Sequence, residues 1–254
     1  YSLRFFDEVT RLNSYCGGIP ERSACDNPLK YKLSWNMDAM LNSQIRDSTL
    51  ISSSELIHIP AEKQHNNKYI HRIEFPGLGT LEAIPNGNAV HYAELLKIED
   101  NLMETGRYTL RWPGWSAFWS PMKELGFLNH QPVEGLPREV SPFDMVARLL
   151  EPQLQYRDNE KDLSAMVNIV EGVSDGRPQV LTCSLLIERD LATGLMSMSK
   201  GVAYPACIAA EMIVKGEIEK KGVLSPATDV PCDLFIEELK NRGIHVSEKI
   251  EAPR

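Results

Sequence analysis

Ala165-Met166-Val167-Asn168-Ile169-Val170-Glu171 and Gln179-Val180-Leu181-Thr182-Cys183-Ser184-Leu185-Leu186-Ile187 flank Asp175-Gly176. Two apolar and β-branched runs around a pair that tolerates positive φ read as a β-hairpin. Its position in the chain decides the fold class. A doubly wound sheet alternates strand and helix, whereas here strands return after a long helical stretch. The order is strands, helices, strands, helices, so the chain reads as an α+β sheet domain with a helical insertion over 97–150.

Upstream of the hairpin, Ser141-Pro142 is a helix start, a capping side chain followed by proline at the first helical position. Phe143, Val146, Leu149 and Leu150 form its apolar face. Trp115, Phe118, Trp119, Met122 and Leu125 recur at spacings of three and four, with Gly126 as the cap and Pro121 expected to kink or shorten the helix. That aromatic stripe reads as core rather than as a ligand cage. His91 to Leu96 is a shorter helix. Strands are expected at 5–16, 31–35, 49–51, 55–59, 69–73 and 81–84, with turns at Gly17-Gly18 and Asn86-Gly87 and a helix over 36–45. Downstream, Thr193-Gly194 is a turn, and Pro205 opens a helix from Ala206 to Lys215. A last helix covers 232–242, and Ile244 to Ile250 is a final strand. The resulting division is sheet over 1–96, helical insertion over 97–150, sheet over 151–203 and C-terminal helices over 204–254.

Composition narrows the function classes. The chain has 254 residues, 43% apolar and 24% charged, with a net charge of -8, so nucleic acid and anionic membrane are excluded as main partners. No run of 18 apolar residues is present. Cys16, Cys25, Cys183, Cys207 and Cys232 are odd in number and contain no Cys-x-x-Cys, which fits neither a disulfide framework nor a zinc site. A cytoplasmic location is expected. The chain opens on Tyr1-Ser2-Leu3-Arg4 with no initiator Met and no signal-peptide pattern, as a piece of a longer polypeptide would.

Chemical motifs are sparse. The three-glycine dinucleotide loop is missing, since Gly77-Leu78-Gly79 continues as Thr80-Leu81-Glu82. There is no phosphate-binding P-loop, no His-Glu-x-x-His and no Gly-x-Ser-x-Gly. His58, His65 and His71 are irregularly spaced and read as a polar loop, so no metal site is expected.

Three stretches taken in order resemble the saccharopine dehydrogenase family, in the part that follows its nucleotide-binding domain. They are Tyr15-Cys16-Gly17-Gly18-Ile19-Pro20 with Asp26-Asn27-Pro28-Leu29-Lys30; Tyr108-Thr109-Leu110-Arg111-Trp112-Pro113-Gly114; and Gly201-Val202-Ala203-Tyr204-Pro205-Ala206 with Lys221-Gly222-Val223-Leu224-Ser225-Pro226. The resemblance runs from about residue 10 to residue 245. It implies a mixed-sheet domain similar to the C-terminal domain of glyceraldehyde-3-phosphate dehydrogenase. It also implies a homodimer, a preceding Rossmann domain that binds NAD or NADP, and final helices that pack toward that domain. The implied reaction oxidises a C–N bond of lysine or of a lysine-derived, saccharopine-like amino acid, with the cofactor carrying the hydride.

The same resemblance assigns candidate residues. Arg111, with Thr109 and Leu110, is a substrate-carboxylate clamp; a structural arginine pinning the helical insertion to the sheet is the competing reading. Asn86 joins the substrate contacts. Cys16 is the catalytic candidate, as a proton mover near the reacting carbon, or else a small buried cysteine. Tyr15, Gly17 and Gly18 are the cofactor contacts, the glycines allowing close backbone approach or merely a tight turn. Pro85-Asn86-Gly87-Asn88-Ala89 departs from the family's Pro-Asn-Arg-Asp-Ser, where the arginine binds a second carboxylate. Trp112-Pro113-Gly114 and Val140-Ser141-Pro142 resemble the lysine 6-dehydrogenase branch instead. A noncatalytic dimerisation or binding module of the same fold is the alternative function.

Overall fold

The computed structural model describes residues 1–135 and 139–253. One ten-stranded sheet contains β1 (Glu8–Pro20), β2 (Ser48–Ser52), β3 (Glu55–Ile59), β4 (His71–Phe75), β5 (Gly79–Pro85), β6 (Gly87–Asn88), β7 (Glu104–Arg111), β8 (Asp162–Ser174), β9 (Arg177–Glu188) and β10 (Ser247–Glu251). Its main path is β10-β9-β8-β1-β7-β2-β3, with β5 joining β7 and carrying β4. β1 pairs in parallel with β7 and antiparallel with β8, so the sheet is mixed. Asp175 and Gly176 both have positive φ, +49 and +71, and close the β8–β9 hairpin as the Asp-Gly pair requires.

Six helices accompany the sheet among the described residues: α1 (Met37–Asn42), α2 (Val90–Leu96), α3 (Trp115–Glu124), α4 (Pro142–Leu150), α5 (Ser197–Val214) and α6 (Cys232–Asn241). α1, α3 and α4 form one layer, whose core holds Met37, Met40, Trp115, Trp119, Phe143 and Val146. The aromatic stripe is therefore core, with Trp115 and Trp119 both buried. Truncating either to Ala costs about 3–5 kcal/mol by the usual large-to-small scale. Ser141 caps α4 by accepting the Asp144 N–H at 3.0 Å. α5 packs on β8 and β9, and α6 packs against α5, around a cluster that holds Ile187, Ile208, Met212 and Leu239.

Several expectations need correction. β1 runs straight through Gly17-Gly18 to Pro20, because β8 stays in register beside both glycines and holds the chain extended. The segment 97–150 is not helical throughout: β7 lies inside it and is the parallel neighbour of β1. Residues 31–35 are irregular, and Leu33 N–H donates to Leu154 O at 2.7 Å instead of joining a sheet. α5 begins at Ser197, eight residues before Pro205, which sits inside it. The cause is a cap delivered from β8: buried Asp162 accepts Ser197 N–H at 2.8 Å, Ser197 Oγ–H at 2.6 Å and Met198 N–H at 3.2 Å. α3 likewise runs through Pro121 and ends at Glu124, with Gly126 at φ +81 after it. His58, His65 and His71 do not share a polar loop. His65 is buried, His71 lies on β4 and His58 is exposed on β3.

Candidate functional site

Side chains alternate across a strand, and β7 sorts its residues accordingly. Tyr108 and Leu110 enter a core with Tyr15, Ile19, Phe75, Leu81 and Val167. Arg107, Thr109 and Arg111 stand on the opposite face. Cys16 on β1 is level with Thr109 on one side and Met166 of β8 on the other. One step along, Ser14 is level with Arg107 and Asn168. β9 extends these rows with Leu185 beside Met166 and Cys183 beside Asn168. The rows make up an open face of the sheet, a shallow trough flanked by Tyr31 and Trp115 at Arg111 and by Met198 of α5 at Gly18. Cys16 and Arg107 are exposed in it, and Thr109 is half-buried. Over the β8 and β9 ends of the rows lies a cavity of about 670 Å³, walled by His91, Tyr92, Phe235 and Leu239 with Met166 and Asn168.

Arg111 is the deepest charge in the trough, with 4% of its surface exposed. Its guanidinium carbon lies 5.1 Å from the ring centroids of both Tyr31 and Trp115. Nη1 donates to Leu110 O at 2.7 Å and lies 3.5 Å from Gly18 O, while Nε is buried without a partner. Among the described residues Arg111 has no salt bridge. Glu82 is level with it on β5, but the Glu82 carboxylate accepts the N–H groups of Ser116 at 2.8 Å and Gly114 at 3.2 Å, holding the start of α3. A desolvated guanidinium without a carboxylate is costly, and an anion arriving in the trough would relieve that cost.

The wall behind Arg111 is a hydrogen-bonded stack. Trp115 Nε1 donates to Gln44 Oε1 at 2.8 Å, and His65 Nε2 lies 3.2 Å from the same oxygen. Burial pushes His65 down to about 3, assisted by the Lys123 and Arg111 charges, so the ring is neutral at neutral pH. Trp35 Nε1 donates to Tyr31 Oη at 2.7 Å, fixing the second ring over the guanidinium.

The Cys16 thiol faces the trough, yet the protein around it desolvates it enough to raise its pKa; Arg111 and Arg107 pull the other way without overcoming that. At neutral pH Cys16 is a thiol, a hydrogen-bond donor rather than a thiolate nucleophile. Asn86, half-buried, keeps its backbone on β7 through N–H to Arg107 O at 2.8 Å, and its Oδ1 is buried without a partner.

The structure thus brings Cys16, Thr109, Arg111 and Gly18 to one face, and places Tyr15, Gly17 and Leu110 on the other. Tyr15 stacks on Tyr108 with centroids 5.0 Å apart and meets His71 Nε2 through its hydroxyl at 3.2 Å. Burial raises both phenols, Tyr108 to about 12. A Cβ on Gly17 would sit 2.2 Å from Leu110 O, so this glycine serves close packing of β1 on β7. Side chains of Tyr15 and Leu110 are consequently unavailable to a ligand in the trough. Of the three expected cofactor contacts only Gly18 faces it, beneath Met198. Tyr15 and Gly17 lie on the core face instead. Arg107 was missed because 97–150 reads as helical, and the period-two signal that pairs it with Thr109 and Arg111 goes unused there.

The fold around these residues matches known proteins. A model of the saccharopine dehydrogenase C-terminal domain matches residues 3–244. The chain belongs to that family. The mouse mitochondrial alpha-aminoadipic semialdehyde synthase is 25% identical over 290 residues, covering 91% of this chain and 31% of the relative. The saccharopine dehydrogenase [NADP(+), L-glutamate-forming] of Schizosaccharomyces pombe is 24% identical over 320 residues, covering 98% of this chain and 70% of the relative. The apo structure of the saccharopine dehydrogenase (L-Glu forming) of Saccharomyces cerevisiae superposes with a TM-score of 0.83 at 21% identity, over 96% of this chain and 68% of that one. This chain therefore spans only about a third of the mouse relative and about two thirds of the yeast structure. Among the described residues no helix is long and apolar enough to cross a membrane.

Proposed function

We propose that this chain is the substrate-binding and dimerisation domain of an NAD(P)-dependent oxidoreductase that acts on the C–N bond of lysine or a lysine-derived amino acid. The observation that carries the reading is Arg111, a buried guanidinium held between two rings on the floor of an open trough without a carboxylate partner among the described residues. In such a reaction the nicotinamide, when bound, takes up the hydride. Loss of the amine proton then leaves an imine, which water splits into amine and carbonyl compound. The chain's own part is to hold and orient. Arg111 takes the substrate carboxylate through its unpartnered edge. Thr109 and Asn86 Oδ1 offer hydrogen bonds to the amino groups. Cys16, protonated and level with Thr109, donates a hydrogen bond to the reacting nitrogen or to the attacking water.

The cofactor enters from outside the described residues. α5 leaves Val202 and Val214 exposed at 67% and 88%. A further domain or a second copy would cover them, which supports the reading of residues 204–254 as the side turned toward the cofactor domain. The mixed sheet with its helices is also the basis for keeping the likeness to the glyceraldehyde-3-phosphate dehydrogenase C-terminal domain.

The test is steady-state reduction of NAD or NADP by the polypeptide that carries this chain, with saccharopine and with lysine. Turnover with one of them is expected. Arg111→Gln should lower kcat/KM about 10- to 100-fold, the range for a lost charged hydrogen-bond pair. Absence of turnover with both substrates and both cofactors would sink the assignment.

A further inference from the structure

Gln44 lies in the short helical turn Ser43–Ile45 that follows α1, with 2% of its surface exposed. Both ends of its amide are engaged. Nε2 donates to Met40 O and to Ser43 Oγ, each at 2.7 Å. Oε1 accepts the Trp115 indole N–H at 2.8 Å and faces His65 Nε2 at 3.2 Å. An indole nitrogen only donates, so the atom that meets it is the amide oxygen, which settles the orientation of Gln44. His65 then donates from Nε2, and its Nδ1, buried without a partner, carries the lone pair. The layer around Trp115 is apolar, with Met37, Met40, Leu41 and Trp119 in the same core. Packing alone would call for an aliphatic side chain at 44, since a buried amide is costly unless its hydrogen bonds are made.

Trp115 is the first residue of α3. Its backbone is held by Glu82, whose carboxylate accepts the N–H groups on either side of it, from Gly114 and Ser116. Those bonds leave the direction of the ring open, and the indole N–H bond to Gln44 fixes it. The ring centroid lies 5.1 Å from the Arg111 guanidinium carbon. Arg111 itself is tied at one end, by Nη1 to Leu110 O. We propose that Gln44 is a positioning residue, which holds the Trp115 ring in place and thereby aims the unpartnered edge of Arg111 into the trough. The inference rests on the reading of Arg111 as a carboxylate contact. Gln44 acts only through Trp115, behind the wall of the trough. Without its oxygen the indole N–H is buried with no acceptor, so the ring turns from its place and the guanidinium loses one of its two walls.

Saccharopine and L-lysine are titrated calorimetrically into the polypeptide that carries this chain and into its Gln44→Met, Trp115→Phe, double and Arg111→Gln variants. Met fills the volume of Gln44 without an acceptor, and Phe keeps a ring beside Arg111 without the N–H. Gln44→Met should weaken binding about 3- to 10-fold at unchanged stoichiometry, the fold-change of one ordinary hydrogen bond. A mere loss of folded protein would instead lower the stoichiometry and leave the affinity alone. Trp115→Phe removes the same bond from its other end, so the double variant should bind no more weakly than the weaker single one. If Gln44→Met does not fold, the double variant, which has no indole to orphan, carries the test: it should match Trp115→Phe and fall below the wild type. An unchanged affinity in Gln44→Met, a change in stoichiometry alone, or effects that add fully in the double variant overturns the role of Gln44. Arg111→Gln should weaken binding about 10- to 100-fold. If it binds like the wild type, or if the wild type binds neither probe, the reading of Arg111 has failed, and this inference falls with it.

Discussion

Replacing Arg111 with Met separates the two readings of this residue, because a ligand clamp and a structural pin predict opposite signs. As a pin, Arg111 stabilises the α3 layer through one charged hydrogen bond to Leu110 O and two ring contacts at 5.1 Å. Those contribute about 1.5–3 kcal/mol and about 0.5–2 kcal/mol per ring. Against them stands the cost of desolvating a guanidinium that no carboxylate neutralises, several kcal/mol for a buried ion. Met keeps most of the volume and lies well between Tyr31 and Trp115. Apolar replacement of buried ionic groups is commonly neutral or stabilising by about 1–4 kcal/mol. The expected outcome is therefore no loss, with a gain of up to about 2 kcal/mol. For a chain of this size that gain raises Tm by roughly 4–8 °C at about 2–4 °C per kcal/mol. Carboxylate binding should vanish in the same variant. Urea unfolding and calorimetric titration read the two quantities side by side. A loss of more than about 2 kcal/mol in stability would refute the argument and make Arg111 the pin.

Three further substitutions probe what positions the trough. Asp162→Ala removes three hydrogen bonds that start α5, and a drop of about 2–4 kcal/mol in unfolding free energy is expected, since a buried cap and its orphaned N–H donors are lost together; a drop below 1 kcal/mol would mean that Ser164, which lies 2.8 Å from Ser197 Oγ, can hold the helix start alone. Gly17→Ala should cost about 2–3 kcal/mol and weaken carboxylate binding, because its Cβ meets backbone at 2.2 Å, while Gly18→Ala meets only the flexible Met198 side chain at 3.0 Å and should cost less; the reverse order in a urea series would contradict the close-approach argument. His65 is held down to about 3 in the folded state against an ordinary value of about 6.5, so its contribution is complete above about pH 6.5 and is lost as pH falls toward 3, on the order of 5 kcal/mol over the full span. His65→Gln should flatten the acid limb of the stability–pH curve, and an unchanged limb would place the acid sensitivity elsewhere.

The parts of the fold legible in sequence are those set by local chemistry. Asp175-Gly176 needs positive φ twice, and Ser141-Pro142 carries its own cap, so both announce themselves without tertiary help. What escaped depends on partners far away along the chain. The start of α5 is invisible because Asp162, 35 residues upstream, supplies the cap. Strand β7 was hidden because helical patterns flank it and because a parallel partner, β1, is 93 residues distant at Cys16 and Thr109. Gly17-Gly18 looks like a turn, since glycine marks turns and close approaches alike; only the Leu110 carbonyl tells them apart. Of the candidate residues, the family resemblance supplied Arg111, Cys16, Thr109, Asn86 and Gly18, which the structure places on or beside the trough. It also supplied Tyr15, Gly17 and Leu110, whose neighbours in sequence are neighbours across the sheet rather than on one face of it.

That last distinction follows from the pairing of β1 with β7. Because alternate residues point to opposite faces, a contiguous motif such as Tyr15-Cys16-Gly17-Gly18 or Thr109-Leu110-Arg111 necessarily splits into a ligand-facing half and a core-facing half. Its core-facing members still constrain the site. Leu110 is fully buried and Gly17 has no side chain, so the two strands approach closely there, and Cys16 is locked level with Thr109. A slip of one residue in this pairing would turn Arg111 into the Tyr15–Tyr108 core and bring Leu110 to the trough floor. The register is therefore protected from the core side by groups that never touch a ligand. Substitutions at Gly17 and Leu110 should accordingly impair function through the spacing of the two strands.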